Sequence, residues 1–353
     1  VDMDQRTRAD ILQAGIAAPS ADNSQPWRFA WSGDVLDLRI DADRSGRVSD
    51  TRYVLSDLAV GACLENMRIQ GQSLGYTAHM ETFPHPQDPL WAARIHWHRD
   101  TPHPTPEPLA AAITQRHTDR RFPWRGPIGA DIQQRLTAQA ESIAGQKLYW
   151  PTLPRERNAA LRVIRQAETL RFKSPMLHEE LFSTVRFSAG WRKVCEEGLA
   201  PATLAVEPPM RPLFQSLRHA RAMQMLNLFG AASMLGWRSA GLPLKLSPGL
   251  CLLVTAGKER ADVVAGGRAL QRVWLEATLA GLSVQPYAAA GVLGLGFIPI
   301  ESRYQDALSQ LGDAMDALCA PGYGLVFLRL GYARSAVAFR NGRRALSSFG
   351  TKE

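Results

Sequence analysis

The chain has 353 residues, more than one ordinary domain of about 100–200 residues, so two domains or one large α/β-type unit is the starting expectation. With 45% hydrophobic, 21% charged and 8% aromatic residues it falls outside the disordered, collagen-like and disulfide-scaffold classes, and no stretch approaches the roughly 18–20 consecutive apolar residues of a membrane span. The formal charge of +8 rests on arginine, since only six of the 41 basic residues are lysines; spread without a basic block or interleaved aromatics, it points away from nucleic acid.

In chain order, Ile11, Ala14, Gly15 and Ala18 recur at helical spacing and predict a helix over 7–18 that Pro19 ends. A polar loop follows, then two alternating runs, 28–31 and 35–40, that read as a β-hairpin about Ser32-Gly33-Asp34. A long helix is expected over 55–74 with Gly75 as its stop, and a strand over 92–98. Four prolines within 101–108 mark a stiff connector and the domain boundary, giving halves 1–100 and 109–353. Beyond it the pattern predicts helices 109–115, 130–143 and 155–168 with a strand at 148–151. A helical, proline-interrupted insertion follows over about 170–245, then strand 250–255, helix 264–280 and strand 325–331.

The two long helices share a grammar: small residues at Gly61 and Ala62 in one and Gly266 and Gly267 in the other, each closed by a short stop before a strand. This suggests two diverged, fused copies of one domain, against the alternative of two unrelated helices.

The run Ala18-Pro19-Ser20-Ala21-Asp22-Asn23-Ser24-Gln25-Pro26-Trp27 resembles the signature loop of the nitroreductase family of flavin enzymes. Arg116-His117-Thr118-Asp119-Arg120 resembles the family's arginine motif, Gln285-Pro286-Tyr287-Ala288-Ala289 its third flavin-facing segment, and Arg343-Arg344 its basic tail. In ordinary members the arginine motif precedes the loop within one domain, and the flavin lies between two subunits. Here the loop comes first, which a fused duplication with one composite site explains. The resemblance is to the tandem subgroup, some of whose members are attached to adenylating domains of the ubiquitin-activating (ThiF-like) type.

The fold implied is α+β: two nitroreductase-like halves with antiparallel sheets flanked by helices, forming an intramolecular pseudo-dimer that is monomeric in solution, with a helical lid. The cofactor implied is FMN, with NADH or NADPH as electron donor. Arg116 and Arg120 are four apart and share a helical face from which two guanidiniums can clamp one phosphate. The resemblance adds His117, a Thr118 hydroxyl, and Arg343 and Arg344 to that pocket. It places Pro19, Ser20, Ala21, Asn23 and Gln25 at the ring, and Pro286, Tyr287, Ala288 and Ala289 across it. Arg186, Trp191, Arg192 and Met210 are candidate lid contacts to substrate. No catalytic residue is assigned, because the flavin carries the chemistry. The third segment lacks the acidic residue and glycine that often follow its proline, so nicotinamide docking or flavin tuning is expected to differ.

Other chemistries are weaker. Cys63, Cys195, Cys251 and Cys319 form no CxxC pair, which fits reduced thiols in the cytoplasm better than disulfides or zinc, and the N-terminal residues show no secretory pattern. His85, His96, His98 and His103 lack a convincing third metal ligand. Gly291, Gly294 and Gly296 read as a flexible loop rather than a dinucleotide fingerprint, and no hydrolase elbow is present. The expected activity is therefore hydride transfer between NAD(P)H, flavin and a small organic acceptor: a nitroaromatic, quinone, enone or biosynthetic intermediate. The alternatives are an FMN-sequestering protein with little turnover, and an O₂-dependent oxidation of a specialised substrate.

Overall fold

The computed structural model describes residues 3–100 and 107–350. Of the proline-rich connector only Glu107 and Pro108 fall within them; its remainder, with His103, lies outside the described residues.

Helix α1 (Gln5–Ile16) begins where the Asp4 carboxylate accepts the Thr7 N–H at 2.8 Å, an N-cap that satisfies one of the free amides of the first turn. The hairpin forms as expected: β1 (Trp27–Ser32) runs antiparallel to β2 (Val35–Ile40), with Trp27 opposite Ile40 and Gly33 at φ +56° in the turn. Helix α2 (Val54–Ser73) then leads to β3 (Tyr76–Thr82) and β4 (Trp91–Arg99), and the four strands form one antiparallel sheet in the order β1-β2-β4-β3. Ala59, Ala62, Leu64, Met67 and Ile69 are all buried on α2, which is why its sequence reads as apolar on several faces rather than as one stripe.

The 109–115 helix is instead a short 3₁₀ turn, Pro108–Ala112, continued by a turn over 113–115, and residues 116–120 lie outside any helix, so Arg116 and Arg120 do not share the helical face their spacing suggests. Next come α3 (Ala130–Glu141), β5 (Gln146–Tyr149), and α4 (Pro154–Lys173), five residues longer than expected at its C-terminal end. The insertion holds α5 (Pro175–Ser183), α6 (Arg211–Ser216), α7 (Ala220–Asn227), α8 (Ala231–Gly236) and α9 (Leu242–Lys245). After it come β6 (Gly249–Thr255), α10 (Arg260–Leu279), β7 (Ser283–Tyr287), α11 (Ala289–Gly294), α12 (Gln305–Cys319) and β8 (Tyr323–Gly331). The second sheet is also antiparallel, in the order β5-β6-β8-β7.

Two elements correct the expectations. Gly291 and Gly294 lie within α11 rather than in a flexible loop: Gly291 needs its small size because a Cβ there would stand 2.0 Å from the Leu325 carbonyl oxygen of β8. Helix α12 was not anticipated, although its buried Leu308, Leu311, Met315 and Cys319 recur at helical spacing.

The architecture is thus mixed α+β, with α2 and α10 lying against each other between two antiparallel sheets. Val264 of α10 enters the core under the first sheet, and Val54 and Leu58 of α2 enter the core under the second. The C-terminal tail returns to the first sheet, where Phe349, 1% exposed, packs on Trp27 and Phe29. The insertion has its own small core of Phe172, Phe182, Leu217, Met223 and Ala232, while Leu170, Leu177, Ala240 and Leu244 at its two ends belong to the main core. No helix among the described residues is long and apolar enough to cross a membrane.

Candidate functional site

A cavity of about 960 Å³ opens where the end of α1, the start of α2, residues 113–120, the insertion, the end of β7 and the C-terminal tail meet. That is the upper end of the roughly 300–1,000 Å³ typical of small-molecule pockets.

The loop after α1 forms one wall and is held in an unfavourable backbone shape. Asp22, Asn23 and Gln25 have φ values of 51°, 56° and 53°, a left-handed conformation that non-glycine residues adopt only when their surroundings enforce it. The enforcement comes from far along the chain. Asn23 Nδ2 donates to the carbonyls of Glu196 and Gly342, both at 3.2 Å, and Gln25 Nε2 donates to Glu196 O at 2.7 Å. Gln25 Oε1 accepts from the Arg344 N–H at 3.0 Å. Insertion and tail together pin the loop.

Beside it stand a buried cation, Arg116, and a half-buried one, Arg343. Arg116, 8% exposed, donates from Nη2 to Ala17 O at 3.0 Å and stacks over Trp274 of α10 with its guanidinium carbon 4.6 Å from the ring centre. Arg343 donates to the carbonyls of Ile16, Ala17 and Ala18 at 2.8, 3.2 and 2.8 Å and to Asn23 Oδ1 at 3.0 Å. Those carbonyls are the free acceptors at the end of α1, where positive charge is favoured. Neither arginine forms an ion pair among the described residues. Burial, and then the neighbouring Arg343 charge, holds the Arg116 guanidinium well below its ordinary value, and burial brings Arg343 down to about 10. Half-buried Arg120 donates to Thr203 O at 3.3 Å and is likewise lowered by burial, against the pull of Asp22 and other charges. This concentration of desolvated positive charge favours a bound anion.

The opposite wall comes from β7 and α11. Pro286, Tyr287, Ala288 and Ala289 line the cavity, and the Tyr287 hydroxyl donates to Ser239 O at 3.0 Å, a bond from β7 to the insertion. Burial pushes that hydroxyl above its ordinary value. Three wall residues hold buried polar atoms without a partner among the described residues: Arg116 Nε, Trp274 Nε1 and Gln285 Oε1. Phe172, Phe182 and Phe214 of the insertion supply an aromatic face, with Phe182 and Phe214 5.4 Å apart.

Of the residues singled out from sequence, Pro19, Ser20, Ala21, Asn23, Arg116, His117, Thr118, Arg120, Pro286, Tyr287, Ala288, Ala289 and Arg343 line this one cavity, as does Met210. Gln25 and Arg344 do not. Gln25 is fully buried beneath the loop, and Arg344 sits over Phe349 and donates to Gln25 O at 3.2 Å, so both are scaffolding. Arg186, Trp191 and Arg192 do not line it either: Arg186 pairs with Glu197 at 3.4 Å, and Trp191 lies beneath Arg211 at 4.9 Å. Asn23 reaches the wall, but its amide is occupied by the tail and the insertion rather than free for a ligand. Trp274, Gln285, Arg340 and the three phenylalanines were not among the candidate residues. Trp274 and the phenylalanines carry the apolar signature of core positions, so no local signal marks them.

No family model matches the chain. It is 25% identical over 285 residues to an uncharacterized protein of Mycobacterium tuberculosis, a match that takes 80% of this chain but 39% of the relative's length. Over 96 residues, 26% of this chain and 29% of the relative, it is 34% identical to a putative NAD(P)H nitroreductase of Mycobacterium tuberculosis. The chain therefore spans well under half the length of these curated relatives. Among solved structures it aligns with an FMN- and NADPH-dependent nitroreductase, NfnB, from sphigopyxis sp. strain HMH at 14% identity and a TM-score of 0.38, over 70% of this chain and 99% of that one. Of these two sequence relatives, the one whose name carries an activity is the putative NAD(P)H nitroreductase, similar over about a quarter of the chain.

Proposed function

We propose that the cavity is an FMN site and that the chain is an FMN-dependent oxidoreductase, passing hydride between NAD(P)H and a small organic acceptor. The observation that carries this is the meeting of Arg116 and Arg343 without a carboxylate partner, beside a loop pinned in a strained shape. An anion is the missing counterpart of that wall, and a phosphate suits guanidinium donors. The aromatic and apolar remainder suits a flat heterocycle, and the unpartnered Trp274 Nε1 and Gln285 Oε1 offer it one donor and one acceptor.

FMN, when bound, supplies the hydride chemistry. The chain's part is to bind, orient and exclude water. Arg116 and Arg120 balance the phosphate charge, while Arg343 holds the end of α1 and the Asn23 loop in place. Pro286–Ala289 backs the pocket, and Phe172, Phe182 and Phe214 keep it dry. No side chain is assigned a proton-transfer role.

A duplicated origin belongs to the same proposal. The sheets share one strand order, and each central strand pair carries one register shift, at Leu38/Arg39 opposite Ala93 and Trp91 and at Leu253/Val254 opposite Val326 and Gly324. The loop comes from one half and the arginines from the other, which supports a composite site and a monomeric protein.

The insertion's separate core over the cavity also favours a second reading, sequestration of FMN with little turnover. Reduction of the purified protein by NADPH without oxygen, followed by steady-state nicotinamide oxidation with an acceptor, decides. Bleaching of the flavin band near ~450 nm with sustained turnover supports the oxidoreductase, and bound flavin that stays oxidised supports sequestration. A protein that cannot be loaded with FMN overturns both.

A further inference from the structure

The insertion carries an apolar tip that no described residue covers. Leu228 and Phe229, in the turn between α7 and α8, are 83% and 89% exposed, and Met225 and Met234 on either side are 70% and 61% exposed. These are the four most exposed large apolar residues of the described chain. Their display is built rather than frayed: Asn227 donates to Phe172 O at 3.2 Å and accepts from the Ala232 N–H at 2.9 Å, anchoring the turn to α4 and α8. The inner side of α7 is already used, with Met223 2% exposed in the insertion's core.

Charge supplies the second observation. From residue 208 to residue 258 the chain has no aspartate or glutamate, while the exposed Arg218 and Arg221 precede the tip and have no carboxylate partner among the described residues, Arg218 lying beside His219 and over Phe187. Arg221, Met225 and Leu228 stand at i, i+4 and i+7, so a cation leads directly into the apolar tip along one helical stripe. An exposed Phe/Leu/Met knuckle preceded by two arginines without carboxylate partners, in a segment with no acid of its own, matches a surface that is negative at its face and apolar just beneath it.

We infer that the α7–α8 tip docks on anionic lipid, with Leu228 and Phe229 inserting between acyl chains and Arg218 and Arg221 meeting the headgroups. This surface does not depend on the cofactor proposal. Met234, part of the same tip, also lines the cavity, so docking would set the lipid face beside one rim of the pocket.

The test is sedimentation of the full chain with vesicles of phosphatidylcholine alone or with about 30% phosphatidylglycerol. The pelleted fraction is expected to rise at least about tenfold on the anionic vesicles. Two double variants, Leu228→Ser with Phe229→Ser and Arg218→Glu with Arg221→Glu, are each expected to return it to the phosphatidylcholine level with far-UV circular dichroism unchanged. Equal pelleting on both vesicles, or either variant pelleting like the unaltered protein, overturns the inference. So does a vesicle-free dimer that the serine variant dissociates, which would make a second copy of the chain the occupant.

Discussion

Gly61 of α2 and Gly267 of α10 face each other reciprocally. A Cβ on Gly61 would lie 2.0 Å from Val264 O, and one on Gly267 would lie 2.2 Å from Leu58 O, each the carbonyl three residues before the other glycine. Such exchange of equivalent contacts is the signature of a two-fold interface, here within one chain, and it agrees with the proposed duplication.

Gly61→Ala is therefore expected to destabilise. Alanine gains about 1 kcal/mol of helix propensity over glycine, but the obstruction is backbone, and relieving it means separating the two central helices. Overpacking of this kind costs about 1–3 kcal/mol, more when rigid elements must move. Thermal unfolding should show a lower midpoint for Gly61→Ala, and a larger drop for Gly61→Val. An unchanged or raised midpoint would mean that the helices do not approach this closely.

Arg116 and Arg343 donate to one carbonyl oxygen, that of Ala17, yet the roles argued for them differ. Arg116→Ala removes charge from the cavity and leaves the α1 end capped by Arg343, so FMN affinity should fall about 10–100-fold, the equivalent of one charge-assisted hydrogen bond. Arg343→Ala also releases the Asn23 loop, and should lower the unfolding midpoint even without cofactor. Fluorescence titration with FMN and melting of the cofactor-free protein separate the two effects. Equal FMN affinity in Arg116→Ala and the unaltered protein would remove Arg116 from the site.

Local signals made much of this legible. The Pro19–Trp27 run, the Arg116–Arg120 spacing and the Pro286–Ala289 segment each announce themselves within a dozen residues, and all three contribute to the lining of one cavity. What stayed hidden depends on partners distant in sequence. Gln25 and Arg344 sit inside the recognisable motifs, but their amide and guanidinium are taken up by each other's segments across more than 300 residues of chain. Trp274 looks like any core residue of a buried helix until Arg116 is placed on its ring. The fold was read where periodicity was strong, as in α1 and the first hairpin, and misread at 109–115, where a short apolar run makes a 3₁₀ turn. The adenylating partner is carried by the sequence resemblance alone.

Asp57 and Glu65, both on α2 and both buried, should titrate in opposite directions because of how many arginines face them. Burial pushes Asp57 up to about 7, against the single Arg260 that binds both its oxygens at 2.7 and 2.8 Å. Burial acts on Glu65 too, but Arg268, Arg68 and Arg272 outweigh it and hold the carboxyl below its ordinary value. A raised carboxylate binds more protons folded than unfolded, so Asp57 contributes stability that fades as pH rises from about 4 to about 7. A depressed one does the reverse, and the Glu65 contribution, present above about 4.5, is lost as pH falls further. Denaturant unfolding across pH 3–8 should therefore lose its falling limb in Asp57→Asn. Glu65→Gln should lose its acid sensitivity and cost on the order of 3 kcal/mol at pH 7, because three arginines are left without their common partner. Parallel pH profiles for the two variants would contradict this assignment.

Met210 tests whether the insertion governs what enters the cavity. It is 45% exposed, lines the cavity, and belongs to none of the buried cores, so Met210→Ser should leave stability within about 0.5 kcal/mol of the unaltered protein. Phe182 is the contrasting case: it also lines the cavity, but it is 6% exposed and stacks in the insertion's own core, so Phe182→Ala should cost about 3–5 kcal/mol or melt the insertion. If Met210 borders the route of an acceptor, its substitution changes KM for bulky acceptors several-fold while FMN occupancy and the rate of flavin reduction by NADPH stay constant. That pattern isolates acceptor binding from cofactor binding. A Met210→Ser protein with unaltered KM for small and bulky acceptors alike would show that acceptors enter elsewhere, and that the insertion covers the cavity without selecting what reaches it.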